Sequence, residues 1–141
     1  MTQEEKDLLL KDLCARLPYG VKVHDEVENT IFEIESINTY ECVCPKDENY
    51  QLNIEDNGIK PYLFPLSSMT NEHKKDIFRN GTFFFDRHNT LCRFPKHNDD
   101  YDYATFEDYL DITEKLNKNH FDYRGLIEKG LALDATGLNI Y

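Results

Sequence analysis

The chain changes its hydrophobic period several times, and each change marks an element. Over residues 3–17, Leu10, Leu13, Cys14 and Leu17 recur three and four positions apart, with Leu9 at the edge. That spacing predicts a helix with one buried stripe. Thr2 and Glu5 form a T-x-x-E capping box at its start, and Pro18-Tyr19-Gly20 stops it and turns the chain.

After the turn the period falls to two. Val21 and Val23 alternate with polar residues, and Ile31, Phe32, Ile34 and Ile37 make a β-branched and aromatic run over 30–37. The Tyr40–Cys44 stretch follows closely enough to predict an antiparallel hairpin closed by Pro45, and residues 50–55 form a shorter strand candidate. Asn57-Gly58 is the strongest hairpin signal in the chain. Pro61 lacks a backbone donor, so 59–64 reads as an edge strand. Thr70 caps a short helix over 71–78, Asn80-Gly81 ends it, and residues 82–86 and 90–94 form a second hairpin.

Beyond a polar stretch at 95–103, a second amphipathic helix is predicted over 105–118, with Phe106, Tyr109, Leu110, Thr113 and Leu116 on one face. Asp111 with Lys115, and Glu114 with Lys118, are i,i+4 pairs in the favourable order. Asp122 is positioned to cap a further helical segment ending near Gly130, and the apolar tail 131–141 is expected to dock on the core. Strands between 21 and 94 flanked by helices at both ends predict an α+β fold: a small, strongly bent antiparallel sheet or SH3-like barrel, in a single domain over 1–141. An open sheet with both long helices on one face is the alternative.

Composition narrows the function classes. Sixteen Lys and Arg face 27 Asp and Glu, a net charge of −11 over 141 residues. At long range that field repels nucleic acid and anionic membranes. No apolar run is long enough to span a bilayer, and the start of the chain lacks the basic and apolar regions of a signal peptide. The expectation is a cytoplasmic protein whose four cysteines remain thiols. The acidity is concentrated in 21–60 and 96–120, around a mildly basic 61–95.

Candidate chemistry is sparse. Cys42 and Cys44, at i and i+2 on a strand, point to one face and suggest a metal site with Cys92 or a histidine, but no second matching pair completes it. Buried core thiols are the expected reading, with no metal and no cofactor. Asp86 with His88, or Asp122 with His120, would serve as base and orienting carboxylate in a small hydrolase. No nucleophile elbow, zinc-protease helix, Walker loop or dinucleotide fingerprint supports that, so the expectation leans away from an enzyme. The middle segment interleaves Lys74, Lys75, Arg79, Arg87 and Arg93 with Phe78, Phe83, Phe84, Phe85 and Phe94, a pattern suited to single-stranded nucleic acid or to a solvated helix face over a core.

Three stretches carry a resemblance: LLLKDLCARLPYGVKV at 8–23, KPYLFPLSSMT at 60–70 and LNKNHFDYRGLIEKGLALDA at 116–135. Together they resemble a family of uncharacterised small proteins from gut bacteria and their phages or mobile elements. The resemblance implies a cytoplasmic, mobile-element setting and assigns no activity, cofactor or residue role. The resulting expectation is a non-enzymatic binding or accessory protein with a protein partner, no membrane and no nucleic-acid ligand; homo-oligomerisation is left open. Its interaction face centres on Tyr123 and Arg124 with the acidic Asp99, Asp100, Asp102, Asp108 and Asp111. The runner-up is an acidic inhibitor that imitates DNA phosphates in the groove of a nucleic-acid-binding protein.

Overall fold

A computed structural model describes residues 1–94 and 102–141. Helix α1 spans Gln3–Arg16, and its first turn closes with the predicted capping box: the Glu5 amide donates to Thr2 Oγ1 at 3.1 Å and the Thr2 amide to the Glu5 carboxylate at 2.8 Å. A 3-10 turn at Leu17–Tyr19 and the left-handed Gly20 (φ 70°) lead out of it.

Strands β1 (Lys22–Asp25) and β2 (Thr30–Ile37) pair antiparallel, with Asp25 opposite Thr30. The buried Asp25 carboxylate accepts the amides of Val27 and Glu28 and so closes the turn. Strand β3 (Cys42–Pro45) pairs with β2 through a bulge between Ile34 and Ser36, and β4 (Leu52–Asn53) lies against β3. Strand β5 (Lys60–Pro65) joins β1 on one side and takes two parallel partners from the end of the chain, β9 (Phe121–Asp122) and β10 (Leu133–Asp134). The result is α+β, with a bent and mixed sheet that does not close into a barrel.

Two strand expectations change. Asn57-Gly58 forms a turn, but β4 pairs with β3 and β5 with β1, so this turn joins non-adjacent strands. Pro61 sits within an interior strand and not at an edge. Leu63 accepts the Ala135 amide on the β10 side. Two residues earlier, Pro61 turns its donorless nitrogen to that same side, ahead of the first β10 pair, Leu133 with Tyr62.

Helix α2 (Asn71–Ile77) is capped by Thr70, and β6 (Phe83–Phe85), β7 (Leu91–Arg93) and β8 (Asp102–Tyr103) form a separate antiparallel sheet. Helix α3 (Phe106–Lys118) starts at the cap Thr105. No helix follows it: residues 126–130 form turns, and the Asp122 carboxylate accepts the amides of Leu126 and Ile127 at 3.0 and 2.9 Å. Asp122 therefore caps a turn, as its chemistry allows, without a helix behind it.

The apolar interior forms three clusters. Leu9 and Leu13 of α1 pack on Val21, Val23, Ile34, Val43, Ile54 and Ile59 of the sheet. Ile112 and Leu116 of α3 meet Ile77, Phe78, Phe83, Leu91 and Phe121. Leu63, Leu126, Leu131 and Ala132 lie between the tail and β5. None of the helices in the described residues is long and apolar enough to cross a membrane.

Candidate functional site

The predicted apolar face of α3 is rotated in the structure. Ile112, Thr113, Leu116 and Asn117 are buried, whereas Phe106 is 74% exposed, Leu110 49% and Tyr109 41%. On β8, Tyr103 is 75% exposed. The two halves of α3 thus do different work: the second anchors the helix, and the first presents Leu110 and the rings of Phe106 and Tyr109 to solvent. Those rings border a groove of about 520 Å³ whose walls include Asn89, Leu91, Tyr103, Ala104, Phe106 and Tyr109. Asn89 and Tyr109 also line a smaller cleft of about 220 Å³ that reaches Tyr123 and Arg124.

The acidic residues expected here divide into three groups. Asp99 and Asp100 lie outside the described residues, and Asp102 is placed by its backbone alone, opposite Arg93. Asp108 and Asp111 are both on α3, and both bind Arg79, at 3.1 and 3.3 Å. The Thr105 hydroxyl, donating to Asp108 at 2.9 Å, is the main cause holding that carboxyl below its ordinary range, with Arg79 adding to it. Arg79 also lies over the Phe83 ring at 5.0 Å, so it ties α3 to the second sheet.

Tyr123 and Arg124 depart furthest from expectation. Tyr123 is only 5% exposed and cannot centre an exposed face. Its ring stacks on Phe85 at 6.0 Å and lies beneath two guanidinium groups, Arg124 at 4.4 Å and Arg16 at 5.7 Å. Burial raises its phenol pKa above the ordinary value. Arg124 does not pair with Asp122, whose oxygens are taken by amides; it donates to Asp12 at 2.8 Å. The other Asp12 oxygen accepts Arg16 Nε at 2.8 Å, and Arg16 Nη2 donates to the Phe121 carbonyl at 2.6 Å.

Asp12 and Arg16 are both fully buried and share the buried face of α1 with Leu9 and Leu13, turned away from the face of Leu10, Cys14 and Leu17 that the spacing predicts. Hydrophobic periodicity could not find them, because it treats charged positions as solvent-facing. The usable signal was their i,i+4 spacing beside Leu9 and Leu13, which puts a matched pair on the buried stripe. Leu10 and Leu17 are half-buried, and Cys14 is exposed.

A second region, also missed, surrounds His120. This residue has φ 60° and is 7% exposed, and its ring stacks on Tyr141 at 3.7 Å. Burial, with Arg16 and Lys22 nearby, lowers its pKa to about 4. The Tyr141 hydroxyl donates to the Tyr62 carbonyl at 2.8 Å and accepts the Lys22 amide at 2.9 Å. Lys22 and Tyr62 would form the next antiparallel pair after Val23 with Pro61, so the phenol fills a missing rung between β1 and β5. Burial pushes the Tyr141 pKa up to about 12. A cleft of about 620 Å³ opens beside these rings, bordered by Lys22, Glu33, His73 and Lys118.

The other chemical candidates are occupied. The Asp86 carboxylate accepts the amides of His88 and Thr90, both at 2.9 Å, and does not orient the His88 ring, whose Nε2 instead faces Arg87 Nε at 3.2 Å. All four cysteines are free; Cys92 is buried, Cys42 and Cys44 are half-buried. The Cys42 and Cys44 thiols face the carbonyls of Tyr40 and Glu48. Among the described residues no group of three or more His, Cys, Asp or Glu is arranged to hold a metal ion. The chain matches no family model, no curated protein and no solved structure.

Proposed function

We propose that this chain is a non-enzymatic binding protein that docks a protein partner on β8 and the first half of α3. The observation that carries the reading is the exposure of Tyr103, Phe106 and Tyr109 along one groove, with Leu110 exposed on the same half of α3. Aromatic anchors around a pocket are the common currency of protein interfaces, and the helix-in-groove mode uses anchors at this spacing. The acidic Glu107 between them favours a partner with basic residues at its rim. A cytoplasmic, mobile-element setting belongs to the same proposal and accords with four free thiols.

Imitation of DNA phosphates is less well supported, because Asp108 and Asp111 are both engaged by Arg79, and Asp111 also by Lys115. The test is photo-crosslinking in host lysate from a benzophenone amino acid at position 106 or 110, with position 27 as the control. A discrete adduct from 106 and 110 that disappears in Leu110→Asp or Phe106→Asp, with melting temperature unchanged, is the expected result. Adducts equal to the control would overturn the docking face. Displacement of the adduct by duplex DNA would favour phosphate imitation.

A further inference from the structure

Between α2 and Phe83 of β6 lies an open pocket that the docking face does not use. Its volume is about 570 Å³, within the range of small-molecule sites. Leu66, Met69, Phe78 and Phe83 supply an apolar lining, and Met69, Phe78 and Phe83 belong to the core itself. Methionine and phenylalanine together make a wall that adapts to an apolar body. Asn80 and Gly81 also line it, in a turn where Arg79, Asn80 and Gly81 all have left-handed backbone, at φ 49°, 59° and 82°.

Two lysines border this apolar space, Lys74 and Lys75 of α2. The other cations nearby are engaged: Arg79 by Asp108 and Asp111, Lys115 by Asp76 and Asp111. Neither Lys74 nor Lys75 forms an ion pair with a described residue. On a chain of net charge −11, two unpaired ammonium groups over an apolar cavity form a local reversal of sign. Lysine stems lie along apolar surface while their heads stay in water, which leaves both charges at the mouth.

We infer that this cavity binds an anionic amphiphile, with the apolar body against Met69, Phe78 and Phe83 and a terminal carboxylate or phosphate at Lys74 and Lys75. An apolar ligand alone would leave the lysines unused. A polyanion such as single-stranded nucleic acid would meet the carboxylates of α2 and α3 on either side of this small patch.

Calorimetric titration of the full chain with decanoate, below its micellar concentration, tests the assignment. Octyl glucoside is the neutral comparison and an oligothymidylate the nucleic-acid comparison. One saturable decanoate site is expected, with shifts in the Met69 methyl and Gly81 amide resonances. In the double variant Lys74→Gln, Lys75→Gln the affinity should fall roughly tenfold, the equivalent of one charge-assisted contact. Both side chains are exposed, so the variant should melt with the parent. Absence of a saturable site, unchanged affinity in the double variant, or equally tight octyl glucoside would overturn the inference. Oligothymidylate that displaces decanoate and loses binding in the variant would make the patch a nucleic-acid surface. None of these outcomes bears on the α3 docking face, which lies on other residues.

Discussion

At the residue scale, the most consequential side chain is Asp12. Its two oxygens hold Arg16 and Arg124, residues 4 and 112 positions away. With both the Asp12 and Arg16 side chains excluded from water, removing the carboxylate leaves a buried guanidinium without its counter-charge. Asp12→Ala should cost about 3–5 kcal/mol in urea unfolding. Arg124→Ala should cost less, about 1.5–3 kcal/mol, because Asp12 keeps Arg16. Equal losses would show that Asp12 does not hold Arg16 once Arg124 is gone. His120 supplies a pH dependence. Its folded pKa of about 4 lies below the ordinary 6.5, so the unfolded chain takes up the proton first. Its contribution is complete above pH 6.5 and is lost as pH falls toward 4. Carboxylates with lowered pKa, such as Glu55, Asp86 and Asp108, act at lower pH, beginning near 4.5. His120→Asn keeps a residue type that tolerates positive φ. Thermal denaturation between pH 6.5 and 4.5 should therefore show a flatter slope in the variant; a slope unchanged from the parent would remove His120 from the account.

At the element scale, the starts of α1 and α2 were legible, the cap read at Asp122 heads no helix, and the buried faces were not legible. Thr2, Thr70 and Thr105 all cap helices, and a capping residue declares itself locally through one side chain and the amides just after it. Thr105→Ala should destabilise the protein by about 1 kcal/mol, read as a lower urea midpoint with unchanged slope. Because Thr105 also fixes Asp108, the variant should weaken the hold of Arg79 on α3. A stability equal to the parent would mean that Arg79 alone sets the first turn. Faces are harder, because they depend on what lies opposite. In α3 the periodic set Phe106, Tyr109, Leu110, Thr113 and Leu116 reads as one stripe, yet only Thr113 and Leu116 are buried. In α1 the stripe contains an ion pair that no apolar count registers. The β2–β3 and β6–β7 hairpins follow from local turn chemistry, whereas the interior position of β5 needs partners from the far end of the chain.

At the scale of the whole molecule, charge and topology were visible to different degrees. The −11 balance is a sum over residues and is read directly. Where opposite charges meet is a property of the fold, and it moved Asp108 and Asp111 from a free acidic surface into contact with Arg79. The proposed docking face consequently rests on rings more than on carboxylates. Topology has the larger consequence. Strand β5 is complete only when residues 121–122 and 133–134 lie beside it, and the gap between β1 and β5 is filled by residue 141. During synthesis, then, most of the chain has left the ribosome while one side of β5 still offers unpaired amides and carbonyls, a template for another strand. The apolar face of the same strand waits for Leu126, Leu131 and Ala132. A ribosome stalled after α3 would leave a nascent chain with α1, α2 and α3 and an adhesive β5, so the safety of this fold during translation depends on prompt delivery of residues 119–141.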